Sequence, residues 1–207
     1  MRNRILTSLL GTLWATSSWT AEVTAERAYW PTDADVKLVT IRLSGEIVPG
    51  DLEQVKKARK KAIKDGYKIV ALELDSWGGD GDEGVRLAGW VHYNEATVYV
   101  DGYCLSACSF PALVALSQGN LLIDYSAELG VHQVHDTATG EPDPQWTKMT
   151  AKVLHKSYGV RSEPLKDMVE TPASGMTYFG YDTLLKWGAH TVEKDAALWA
   201  WFNQFLE

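Results

Sequence analysis

Asp101-Gly102-Tyr103-Cys104-Leu105-Ser106-Ala107-Cys108-Ser109-Phe110 decides how the rest of the chain is read. The residues before it, Ala96 to Val100, are apolar and β-branched and predict a strand. Those after it, Phe110 to Leu116, predict a buried helix despite Pro111. A strand that turns abruptly into a helix offers the residue at the turn to an adjoining cleft. It also aims the unpaired first N–H groups of the helix at that cleft. Ser106 stands at that turn. A serine so placed is a nucleophile candidate, because the same N–H donors stabilise an oxyanion. The bland alternative for a serine there is a helix N-cap.

Working towards the N-terminus, Lys68 to Leu74 is nearly all apolar in its middle, as in a strand covered on both faces. Asp75 to Asp82 (DSWGGDGD) reads as a glycine-rich loop at the carboxyl end of that strand. A helix, Glu83 to Tyr93, follows it. Further back, Val36 to Ser44 alternates like a strand, and Asp51 is expected to N-cap a helix over Leu52 to Lys64. The many lysines of that helix are read as a solvated face, since Val55, Ala58 and Ala62 supply a buried stripe at helical spacing. Towards the C-terminus, Asn120–Asp124 and Ala127–His132 predict short strands. Gln145–Tyr158, Glu163–Val169, Tyr181–Trp187 and Lys194–Leu206 predict helices. The repeated order of strand, glycine turn and helix argues for an α/β fold around a mostly parallel sheet. Ligands of such sheets gather at the carboxyl ends of strands. Gly78, Gly79, Ser106 and His132 all fall there.

Arg2 and Arg4, an apolar stretch from Ile5 to Trp14, and small residues at Val23-Thr24-Ala25 have the form of an export signal cleaved after Ala25. The expected organisation is a signal peptide over 1–25 and one domain over 26–207, placed in the periplasm or secreted. Membrane contact is then limited to the signal. Cleavage removes two arginines and one glutamate and takes the formal charge from −7 to −8. An acidic protein of this kind is a poor nucleic-acid binder. The only two cysteines, Cys104 and Cys108, flank Ser106. In an exported chain they can join across the turn, and the other reading is two small buried residues. No metal or cofactor is expected. Asp80, Asp82 and Glu83 lack the spacing of a calcium loop, and His132 with His135 forms a pair poorly spaced for chelation outside a helix.

Three segments in order resemble the proteolytic subunit of the Clp protease, within the Clp/crotonase superfamily. Asp75-Ser76-Trp77-Gly78-Gly79 matches a strand ending in Ser-Pro-Gly-Gly. Gly102 to Ala107 matches a glycine four residues before the nucleophilic serine. Ser126 to Gln133 matches a strand ending in His-Gln. The export signal and the Cys-Leu-Ser-Ala-Cys turn are more similar to exported relatives than to the cytosolic protease. The resemblance implies a Clp/crotonase-like fold of repeated strand–turn–helix units. It implies Ser106 as nucleophile and His132 as general base. Ala107 N–H, with that of Gly78 or Gly79, would form the oxyanion hole. It also implies a peptide or protein substrate, no cofactor, and assembly into a homo-oligomer.

One departure stands out. The family's acidic third member has no counterpart in Ser174-Gly175-Met176-Thr177-Tyr178-Phe179, and Asp136, Glu170 and Asp182 are the substitutes in sequence. Two function classes follow: an exported serine peptidase-like hydrolase, or a catalytically decayed assembly or binding module. A crotonase-like acyl-CoA enzyme fits an exported chain less well, since CoA is intracellular.

Overall fold

The computed structural model describes residues 22–27, 38–67, 69–136 and 139–191. The expected apolar signal segment and the Lys194–Leu206 helix lie outside these residues. The strands are β1 (Glu22–Arg27), β2 (Leu38–Ile47), β3 (Ile69–Gly79), β4 (Val98–Leu105), β5 (Leu121–Ile123), β6 (Glu128–Val131), β7 (Thr177–Gly180) and β8 (His190–Thr191). The helices are α1 (Asp51–Lys64), α2 (Gly81–Asn94), α3 (Ser109–Gln118), α4 (Pro144–Tyr158), α5 (Ser162–Glu170) and α6 (Tyr181–Lys186). A 3₁₀ turn over Ser106–Cys108 joins β4 to α3.

The sheet runs β1-β2-β3-β4-β5-β8, with β2 to β5 and β8 parallel and β1 antiparallel at the edge. The mixed α/β class and the mostly parallel sheet agree with the sequence reading. β1 uses the segment in which cleavage after Ala25 is expected, and such a cut would leave only Glu26 and Arg27 of it.

β4 has two partners. Val98–Val100 pairs with β5, whereas Tyr103–Leu105 pairs with β6, which in turn pairs antiparallel with β7. The change of partner falls at Asp101-Gly102. Gly102 there has φ +131°, a conformation that favours glycine. Matching register shifts occur between Ser44 and Glu46 on β2 and between Leu74 and Ser76 on β3. Irregularities side by side bend a sheet, so the carboxyl halves of β2, β3 and β4 turn together. That turned portion carries the site.

α3 sits at the centre of the core. Every residue from Ser109 to Leu116 is buried. A helix apolar on all sides is stable only inside a molecule. α2 packs against it, where Leu87, Ala88 and Val91 are buried.

Two local expectations are corrected. Asp75–Gly79 is not a loop but the last five residues of β3, with Gly78 and Gly79 paired to Glu46 and Ile47. Asp51 is not the cap of α1. Gly50 takes that position with φ +105°, and the buried Asp51 carboxylate accepts from Val48 N–H at 2.8 Å. The capping of α1 comes from elsewhere: buried Glu83 accepts from Leu52 N–H at 2.7 Å and from Gly50 N–H at 3.2 Å. The acidic cluster is thereby accounted for, since Asp80 caps α2 by accepting from Glu83 N–H at 2.7 Å.

Candidate functional site

Ser106 follows β4 directly and has φ +53°. Among the described non-glycine residues only Glu95 shares a positive φ. A side chain held in that region costs ~1–3 kcal/mol, so neighbours must enforce it. Three do so. Buried Ser109 donates both its Oγ–H, at 2.7 Å, and its N–H to the Ser106 carbonyl. Cys104 and Cys108 are joined by a disulfide whose Cα atoms stand 5.1 Å apart, closing the backbone across Ser106. The bond also removes either cysteine as a nucleophile. Gly78 lies against the turn, where a Cβ would stand 2.7 Å from Ser106 Cβ and 2.8 Å from the Leu105 carbonyl oxygen. Only glycine fits there, both for space and for its φ of +105°.

The backbone N–H of Gly78 is turned to the buried Ser76 Oγ at 3.0 Å. Ala107 is buried, and its amide nitrogen faces Gly78, 3.2 Å from where a Cβ would stand. Gly84 of α2 also meets the turn, since a Cβ there would come within 2.6 Å of the Ala107 carbonyl oxygen. The elbow is thus clamped by β3 on one side and by α2 on the other.

His132 follows β6. Leu105 pairs with Gly130, so Ser106 lies one residue and His132 two residues beyond the same rung of two parallel strands. This places them just beyond the ends of neighbouring strands. His132 is only 8% exposed. Burial chiefly pulls its pKa below the ordinary value, the charge of His135 pulls the same way, and the Gln133 backbone opposes both. Its ring is therefore neutral at neutral pH, the state a base needs. Among the described residues no hydrogen bond joins Ser106 Oγ to the His132 ring, and His132 Nδ1 is buried without a partner.

None of the three substitute carboxylates reaches His132 Nδ1. Asp136 accepts from the N–H and Oγ of Thr139, Glu170 lies 3.9 Å from Lys166, and Asp182 is exposed in the first turn of α6. Met176 packs against the backbone of Gly130 beside Leu105, so the segment expected to bring an acid brings a thioether instead. Sequence reasoning missed Ser109, which belongs to no motif, and took Ser76 only as part of the Asp75–Gly79 segment; the value of both lies in what they hold in place.

The sheet surface around the elbow is aromatic. Tyr178 pairs with Gly130, and Trp77 falls one step past the Ser76–Cys104 pair, beside Leu105. Both rings are about half exposed, Trp77 at 51% and Tyr178 at 54%.

No protein-family model matches the chain, and no curated protein matches it. Solved structures do. A ClpP1 variant from Listeria monocytogenes superposes with a TM-score of 0.57 at 18% identity, covering 77% of this chain and 94% of that one. A variant of the membrane-bound stomatin-specific protease 1510-N gives 0.54 at 15%, covering 73% and 75%. The ClpP protease catalytic domain from Plasmodium falciparum gives 0.52 at 16%, covering 75% and 85%. At such identities the likeness is one of fold, and the fold is ClpP-like.

Proposed function

We propose that this chain is an exported serine hydrolase that cleaves peptide or related acyl bonds. Ser106 Oγ attacks the carbonyl carbon and passes its proton to His132 Nε2. The imidazolium then protonates the leaving amine, and water repeats the sequence to release the acyl group. Ala107 N–H is the first oxyanion donor. The second is the Gly78 N–H, once it exchanges Ser76 Oγ for the oxyanion, or that of Gly79. The observation that carries the reading is the Ser106 elbow itself: a serine held at positive φ, hard against a side-chain-free glycine, at the strand end beside a buried neutral histidine. The likeness of fold to proteases supports it. So do the half-exposed Trp77 and Tyr178 rings near the elbow, which suit apolar side chains of a peptide.

The test is covalent labelling of the purified mature protein by a fluorophosphonate probe. Labelling is expected at Ser106 and is lost in Ser106→Ala and strongly reduced in His132→Ala. The absence of labelling in correctly folded protein rejects the reading. A second reading, an assembly or binding module with a decayed site, is favoured by the missing Ser106–His132 hydrogen bond and by the lack of an acid in Ser174–Phe179. It predicts no labelling together with a stable oligomer by light scattering. Export is tested by fractionation and by the mass of the mature N-terminus.

A further inference from the structure

We propose that His135 is a positioning residue for His132. Its ring accepts the Nδ1–H of His132 and so leaves His132 Nε2 as the lone pair that faces Ser106. The inference rests on the serine hydrolase reading for its purpose, though not for its geometry.

The starting point is two buried nitrogens. His132 Nδ1 and His135 Nδ1 are both shielded from solvent, and both lack a hydrogen-bond partner among the described residues. A buried polar atom without a partner costs ~1–3 kcal/mol, so two within one loop call for a common explanation. The rings are neighbours, with centroids 5.5 Å apart and planes tilted by 33°. At that separation facing ring edges come within hydrogen-bond reach after a small rotation about χ2. One N–H···N bond then satisfies both atoms.

Tautomer logic fixes the direction of that bond. A base that takes the Ser106 proton at Nε2 must carry its own hydrogen on Nδ1, and that hydrogen needs an acceptor. No described carboxylate takes the role, because Asp136 and Glu170 are engaged with Thr139 and Lys166. The Gln133 backbone also acts on the His132 ring, but His132 Nδ1 makes no hydrogen bond, and His135 is the ring beside it. His135 then accepts through Nδ1 and keeps its hydrogen on Nε2.

His135 is also held still. It bridges to Pro142 in antiparallel register. The preceding residue, Val134, donates its N–H to the Thr147 hydroxyl at 2.9 Å, and its carbonyl accepts from Asp143 N–H at 2.7 Å. Thr147 is fully buried and belongs to α4. The loop that carries both histidines is thereby tied to the start of that helix. A backbone so tied keeps the second ring next to the first, as an orienting group requires.

A neutral imidazole gives the imidazolium a dipole where a carboxylate gives a full charge. The site should therefore work more slowly than one with an acid, and supplying the acid should speed it.

The test combines two measurements on the mature protein. The first is ¹H–¹⁵N NMR of the histidine rings at neutral pH, which needs no activity. His132 is expected as the Nδ1–H tautomer with a slowly exchanging ring proton, and both features should be lost in His135→Phe. His135→Gln, which keeps an acceptor, should retain the tautomer, and His135→Leu, which has none, serves if the Phe variant misfolds. A His132 tautomer unchanged in the folded Phe or Leu variant overturns the proposal. The second is the pH profile of fluorophosphonate labelling. His135→Phe should label at least ~10-fold more slowly, and His135→Asp should label faster, with its acid limb moved to higher pH. An unchanged profile in His135→Asp with normal folding also overturns it. Absent labelling of Ser106 in the parent protein, with the NMR signature intact, rejects the hydrolase reading and leaves the histidine pair standing.

Discussion

Ser106 and Gly78 define the site at the scale of single residues, each fitting only because of the other. Adding one methyl at Gly78 puts a Cβ 2.7 Å from Ser106 Cβ and demands a φ of +105° from an alanine. Gly78→Ala is expected to lower stability by about 1–3 kcal/mol. The displaced turn should slow Ser106 labelling by ~10²-fold, the scale of a lost oxyanion donor. Denaturant melts and labelling rates check both numbers, and a variant that labels at the parental rate would show that the elbow tolerates movement. Ser109 is the milder case. Ser109→Ala removes a 2.7 Å hydrogen bond from a buried position and should cost ~1 kcal/mol. Ser106, His132 and the glycine pair are visible in sequence as candidates, because Ser106 and His132 come after apolar runs and the glycines stand out in a polar stretch. Ser109, Ser76 and His135 are not. Their importance lies in atoms they meet through the fold, and a lone Ser or His carries no sign of what it will face.

The elements that sequence alone reveals are those with their own periodicity. β2, α1, α2 and α3 have it and lie largely where predicted, whereas β4, expected over Ala96–Val100, runs on through Asp101-Gly102 to Leu105. β7 (Thr177–Gly180) escapes because four residues between turns give no period, and its partner β6 lies some fifty positions earlier. The end of β3 escapes because Gly78 and Gly79, both at positive φ, read as a loop while their backbone still pairs with β2. The disulfide belongs to this scale, since it ties the end of β4 to the start of α3. It closes a very short loop, so the chain-entropy argument allows only about 2 kcal/mol. A Cys104→Ala/Cys108→Ala variant should lose no more than that in urea melts. The larger expected effect is on Ser106, whose positive φ then depends on Ser109 and Gly78 alone. Labelling should slow by ~10-fold or more while the fold survives. Equal labelling with and without the bond would confine its role to stability.

Charge and burial across the whole molecule set how the fold responds to pH. Three groups act with different signs. His132 is held below its ordinary pKa, chiefly by burial. The unfolded chain therefore takes up that proton first, at ~6.5, and stability falls as pH drops through that value towards the folded one. Asp51 has the opposite shift, because burial raises its pKa and nearby Glu83 adds to this against the Val48 N–H. Its folded form gains protons before its unfolded form does, so acidification relieves a cost there instead of adding one. Glu163, drawn down to about 2 by Arg161, contributes above the ordinary carboxylate range and loses that contribution only as pH falls below it, and its exposure keeps the contribution small. Below the ordinary histidine value of ~6.5 the His132 shift lowers stability, while the Asp51 shift opposes it from above the ordinary carboxylate value. Urea midpoints measured from pH 7.5 to pH 5 should decline in the parent protein, and the decline should shrink in His132→Gln. A parent protein that is flat from pH 7.5 to 5 would mean that His132 takes a proton as readily in the fold as in the open chain. Burial would then not be what holds the His132 ring neutral near Ser106.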